Sequence, residues 1–178
     1  MRAPRHPLRL PHAVRAAVAI AALATIALPS RAAPPASRKD PALGVARGGA
    51  EWLGPPPPAT PRRVVSLAPS LTDLVVAMGL ADRLVGVTRY DDSPAVRELP
   101  RVGGFLDPSP EAVVALRPDL VLWMTDGGAL PAVRRIAALG VPVRALPIVS
   151  IPDLLAASRD VGAALGDAAA GERLAGEL

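Results

Sequence analysis

Arg63-Val64-Val65-Ser66-Leu67-Ala68-Pro69-Ser70-Leu71-Thr72-Asp73-Leu74-Val75-Val76-Ala77-Met78-Gly79 holds the change of period that decides the fold. Through Leu67 the run is apolar at nearly every position, which suits a short strand buried on both faces of a parallel sheet. Leu71, Leu74, Val75 and Met78 then recur at i, i+3, i+4 and i+7, one stripe of a helix. Ser70 precedes that stripe with Asp73 three residues later, as in a capping box, and Gly79 ends it. Strand, tight turn and helix follow one another within seventeen residues.

The alternation continues downstream. Leu84-Val85-Gly86-Val87, Leu120-Val121-Leu122-Trp123 and Val143-Arg144-Ala145-Leu146 predict three further strands. Between them, Ser109-Pro110-Glu111 supplies a capping hydroxyl, a proline in the first turn and an acid at the positive end of a helix dipole. That helix must stop before Pro118, which disfavours helical geometry at Arg117. Leu130, Val133, Ile136 and Ala137 stripe a third helix, closed by Gly140 and Pro142. Ser150, with Asp153 three residues on, opens a fourth through Leu154, Val161 and Leu165. From Asp167 the composition turns to Ala, Glu and Arg, which predicts one more helix running to Leu178. Short connections between alternating strands and helices imply a right-handed parallel α/β sheet, a Rossmann-like lobe over residues 62–166.

Upstream the character differs. Residues 33–61 are rich in Ala, Pro, Gly and charge, with an unbroken Pro55–Pro58 run, and predict an extended, disordered tether in which Trp52 packs loosely. Residues 1–32 read as a cleavable export signal. Arg2, Arg5, Arg9 and Arg15 precede an apolar stretch from Ala16 to Leu28, and Ser30-Arg31-Ala32 offers small residues before a cut. That stretch is short for a membrane span of roughly 20 residues. Five of the 20 basic residues and none of the 16 acidic ones precede Ala33, so the processed chain carries 15 against 16, a net charge of −1. A nucleic-acid surface needs a basic stripe, and none is present.

The chain has no cysteine, and both histidines, His6 and His12, lie in the signal. This removes a disulfide framework, lipid attachment at the cleavage point, the usual zinc ligands, Ser-His-Asp and Cys-His catalysis, and His- or Cys-ligated haem. Neither a dinucleotide fingerprint nor a phosphate loop follows the first strand, where the turn is Ala68-Pro69-Ser70.

Open parallel sheets bind ligands beyond the carboxyl ends of their strands. Three of the four aromatics fall near such ends: Tyr90 after the second predicted strand, Phe105 in the loop before the second helix and Trp123 closing the third strand. They suggest a flat apolar ligand surface, or ordinary packing. Gly103-Gly104 and Gly127-Gly128 allow close backbone approach or a tight turn. Asp91, Asp92, Asp107 and Asp126 read as solvated loop acids.

Four blocks, Arg63–Asp73, Asp82–Thr88, Leu99–Phe105 and Glu111–Leu122, together resemble the amino lobe of the cobalamin and iron-chelate binding proteins of ABC importers, the helical-backbone metal receptors. The resemblance implies two α/β lobes joined by a long helix, of which residues 167–178 are the start, with the second lobe absent from this chain. It implies a periplasmic monomer that binds cobalamin or a related metal chelate and delivers it to an inner-membrane permease, without cofactor, metal site or catalysis. Tyr90 and Phe105 match aromatics that touch the corrin in cobalamin-binding relatives, and Trp123 or Met124 matches the aromatic after the third strand. Gly104 joins Tyr90, Phe105 and Trp123 as a ligand-binding candidate, and Glu111 matches a glutamate that pairs with permease arginines. The other readings are a ferric-siderophore or haem receptor using the Tyr90 phenolate, a secreted α/β enzyme using Asp91, Asp107 or Asp126, and a non-functional structural fragment.

Overall fold

The computed structural model describes residues 49–178, so the export signal expected over residues 1–32 and the part of the expected tether before Gly49 lie outside the described residues. Five strands form one sheet: β1 (Glu51–Leu53), β2 (Val64–Ser66), β3 (Leu84–Gly86), β4 (Leu120–Met124) and β5 (Val143–Leu146), in the order β1-β5-β4-β2-β3. β2, β3, β4 and β5 pair in parallel, and β1 runs antiparallel along β5.

The four predicted strands are all present. β1 corrects the tether expectation over its last part, because Glu51, Trp52 and Leu53 pair with Ala145, Arg144 and Val143. An open strand edge offers unpaired backbone groups that a neighbouring segment can satisfy whatever its own apolar pattern. Trp52 remains partly exposed, with the Arg144 guanidinium 5.0 Å from its ring centroid.

Helices α1 (Pro69–Ala77), α2 (Pro110–Ala115), α3 (Leu130–Ala138), α4 (Ile151–Ala164) and α5 (Ala168–Glu177) alternate with the strands and close the chain. Strand pleating divides the core into two layers. Val64, Leu120, Leu122 and Leu146 face α1, α4 and α5, whereas Val65, Val121, Trp123, Val143 and Ala145 face α2 and α3. α5, where the sequence predicts a final helix, lies against α4. Their approach is close enough that a Cβ on Gly162 would come within 2.6 Å of the Gly171 Cα.

Caps mostly follow the sequence. The Ser109 hydroxyl accepts from Ala112 N at 3.2 Å, and the Ser150 hydroxyl from Asp153 N at 3.3 Å. Arg117 ends α2 with φ of 46°, and the Arg63 side chain donates to the Leu116 and Arg117 carbonyls freed there. The Ser70 cap is corrected. α1 starts one residue earlier, with Ala68 at the N-cap and Pro69 in the first turn, and no side chain caps it. Instead the Ala68 carbonyl accepts from the hydroxyls of Ser66 (3.0 Å) and Thr72 (3.3 Å) as well as from Thr72 N. Pro69 at the first helical position needs no donor and has its φ already set, so it outcompetes a start at Ser70.

Candidate functional site

The strand order fixes where a crevice must open. After β2 the chain crosses to β3 on one side through α1, and after β4 it crosses to β5 on the other side through α3. β2 and β4 are hydrogen-bonded neighbours, with Ser66 opposite Leu122. Their onward connections leave on opposite faces, which parts the chain just beyond their carboxyl ends and creates a topological switch point.

An open cavity of about 390 Å³ lies there, lined by Ala68, Pro69, Ser70, Tyr90, Phe105, Leu106 and Met124. Its wall is overwhelmingly apolar. Ser70 and Tyr90 are the lining residues with polar side chains, and the Ser70 hydroxyl is 3.7 Å from Met124 Sδ.

Tyr90 and Phe105, placed fifteen residues apart in sequence, meet at this one cavity. Tyr90 is 58% exposed and Phe105 half-buried against the α1 side of the core. Two turns hold them. Behind Tyr90, the buried Asp91 carboxylate accepts from Thr88 N at 2.8 Å and Thr88 Oγ1 at 2.5 Å, which closes the turn on itself. This corrects Asp91 from a solvated acid to a buried staple: its lone pairs are satisfied locally, which makes burial affordable. Around Phe105, Gly103 pairs with Pro108, and Gly104 N donates to the Asp107 carbonyl at 3.3 Å, leaving Phe105 and Leu106 at the tip of a narrow loop.

The two turns are also tied to each other. Arg89 N donates to the Gly103 carbonyl at 2.8 Å, and Arg89 Nη2 donates to both Asp107 oxygens at 2.7 and 2.8 Å. The Arg89 guanidinium carbon sits 5.2 Å from the Tyr90 ring centroid. Hydrogen bonding to Asp107, then to Tyr90, pushes the Arg89 pKa up.

Two expected site residues fall elsewhere. Trp123 is 2% exposed and packed among Val65, Val113 and Val133 on the α2/α3 side, with no hydrogen-bond partner for its indole Nε1 among the described residues. Strand alternation is the reason: Trp123 shares its face with Val121, and Met124 shares the cavity's face with Leu122. Met124 takes the place at the cavity. Gly104 is buried and absent from the lining. A Cβ there would lie 2.3 Å from Asp107 Oδ1 and 2.7 Å from Arg89 Nη2, so the glycine makes room for the ion pair. Leu106, 69% exposed, is a lining residue that sequence reasoning missed, and its place beside Phe105 in a loop closed by glycines and proline was the available signal.

Glu111 is exposed in the first turn of α2 and pairs with Arg135 of α3 at 2.9 Å, on the opposite face of the sheet from the cavity wall. Asp73 of α1 has its pKa raised by partial burial and then by the neighbouring Asp91 and Asp92 carboxylates. Among the described residues no group of three or more His, Cys, Asp or Glu side chains is placed to hold a metal ion.

Residues 64–177 match the family described as periplasmic binding protein. A vitamin B12-binding protein of Yersinia pestis is 39% identical over 88 residues, which are 49% of this chain and 31% of that protein. Among solved structures, a periplasmic heme binding protein from Pseudomonas aeruginosa superposes with a TM-score of 0.62 at 31% identity, over 66% of this chain and 43% of that one. The periplasmic vitamin B12 binding protein of Vibrio cholerae does so with a TM-score of 0.61 at 25% identity, over 66% and 46%. The similarity thus spans about a third of the curated relative and less than half of each solved chain.

Proposed function

The chain belongs to the periplasmic binding protein family, and from that premise we propose that it captures cobalamin or a related metal chelate in the periplasm and presents it to the permease of an ABC importer. The observation that carries this reading is the meeting of Tyr90, Phe105, Leu106 and Met124 around one apolar cavity at the switch point. A planar macrocycle has large apolar faces and a polar rim, and such a cavity takes a face without covalent chemistry. Burial at about 25 cal/mol per Å² of apolar area is the source of affinity, reduced by the cost of association. No bond-making step is assigned to any side chain. The names of the similar proteins, one a vitamin B12 binder and one a heme binder, support a flat tetrapyrrole-like guest.

Haem is the second reading, favoured by the exposed phenol of Tyr90 at the cavity mouth. Absorbance titration of the purified protein with cyanocobalamin, hemin and a ferric siderophore separates the two. Cobalamin binding that survives loss of the phenol in Tyr90→Phe supports the first reading. Hemin binding with a phenolate charge-transfer band lost in Tyr90→Phe supports the second, and no binding of any of the three overturns both.

Glu111 belongs to the same proposal as a permease contact. It is exposed, and its partner Arg135 is exposed too, so the pair is easily exchanged for an arginine from outside. Charge reversal, Glu111→Arg, is expected to abolish uptake in cells while leaving chelate affinity unchanged. Unchanged uptake removes Glu111 from the interface. Residues 1–32 as a signal, 33–61 as a tether interrupted by β1, and α5 as the opening of an interlobe helix complete the proposed organisation.

A further inference from the structure

We propose that the Arg89–Asp107 ion pair is a positioning strap, which holds the Tyr90 ring and the Phe105–Leu106 tip in fixed relation at the cavity mouth. The proposal deepens the chelate-binding reading of the site and rests on it for its functional meaning, though not for its geometry.

Three features converge on this pair. First, one guanidinium nitrogen donates to both carboxylate oxygens of Asp107, at 2.7 and 2.8 Å, across a sequence separation of eighteen residues. Among the described residues, the other side-chain hydrogen bond between these two segments runs from Arg101 Nη1 to the Thr88 carbonyl at 3.3 Å, at the base of the turns, so the Arg89–Asp107 pair is the side-chain link at their tips. Second, the same guanidinium faces the Tyr90 ring, with its carbon 5.2 Å from the centroid, so the cation restrains the ring as well as the loop. Third, position 104 is glycine where a Cβ would collide with both partners. The backbone of Gly104 lies outside the left-handed region, so no conformational need for glycine competes with this explanation.

The pair is about half exposed on the arginine and more on the aspartate, and ion pairs of that kind add little to global stability. Its consequence lies in pre-ordering. Rings and loop tips that are already held lose less freedom when a ligand arrives, so affinity rises without new contacts. The lining residues touch the ligand, while Arg89 and Asp107 act through them.

Tyr90 is the single tyrosine of the chain, so 3-fluorotyrosine labelling gives one ¹⁹F resonance for the ring. Asp107→Asn and Gly104→Ala are expected to move that resonance toward the position of free fluorotyrosine, with the thermal midpoint nearly unchanged. Both variants are expected to weaken cyanocobalamin binding about three- to fivefold. A resonance that stays at the wild-type position in both variants overturns the strap, as does a displaced resonance with wild-type affinity. If wild-type protein binds no cyanocobalamin while the resonance still responds, the ligand reading fails and the strap stands as a feature of the mouth.

Discussion

Trp123 and Met124 are consecutive residues of β4, yet one is sealed beneath α2 and α3 and the other opens onto the cavity. On the sealed side, large apolar groups are held by packing on every quarter. On the open side, Tyr90 and Leu106 keep most of their surface in water. Exposed apolar surface of this kind does nothing for folding, and its clustering at a switch point therefore points to a guest. The two sides should respond oppositely to mutation.

The largest expected effect is on the sealed side. Trp123→Ala removes a fully buried indole and is expected to cost about 3–5 kcal/mol in chemical denaturation. A loss below about 1 kcal/mol would mean that the residue is not core and would blur the contrast. Tyr90→Ala should do the reverse, leaving stability within about 0.5 kcal/mol while weakening cyanocobalamin binding by about tenfold or more.

Two serines near helix starts, Ser109 and Ser70, sharpen the comparison at smaller scale. Ser109 caps α2 through Ala112 N, so Ser109→Ala is expected to cost about 1 kcal/mol. Ser70 sits inside α1 facing the cavity and caps nothing, so Ser70→Ala should change stability by less than about 0.5 kcal/mol. Equal costs in the two variants would contradict the assigned start of α1.

The smallest effect concerns pH. Partial burial, then Asp91 and Asp92, raise the Asp73 pKa, so the native state holds that proton more tightly than the unfolded chain. Its contribution to stability is therefore most favourable below the ordinary carboxylate pKa and declines as pH rises through that value and the raised one. Asp73→Asn should flatten that decline and be slightly more stable than wild type at neutral pH, as urea midpoints measured from pH 3 to 7 would register.

Much of the fold was legible because buried parallel strands write themselves as short apolar runs, and the runs before Ser66, Gly86, Met124 and Leu146 all became strands. β1 was not, since three residues between Gly and Pro carry no period and β5's free edge recruits them. At the site, Tyr90, expected after the second predicted strand, and Phe105, expected in the loop before the second helix, both line the cavity. Trp123 was misplaced because both faces of β4 are buried, so alternation sets it opposite Met124 without showing in the sequence which face meets the cavity. Gly104 and Asp91 were misread for a different reason: their roles depend on contacts with Asp107 and Thr88 inside turns whose geometry no sequence period encodes.

The most direct test is a cyanocobalamin absorbance titration of the double variant Tyr90→Ala/Phe105→Ala beside wild type, with denaturation midpoints taken on the same samples. A folded double variant whose affinity has collapsed is the predicted result. A folded double variant that binds as wild type does would contradict the assignment of this mouth as the ligand surface.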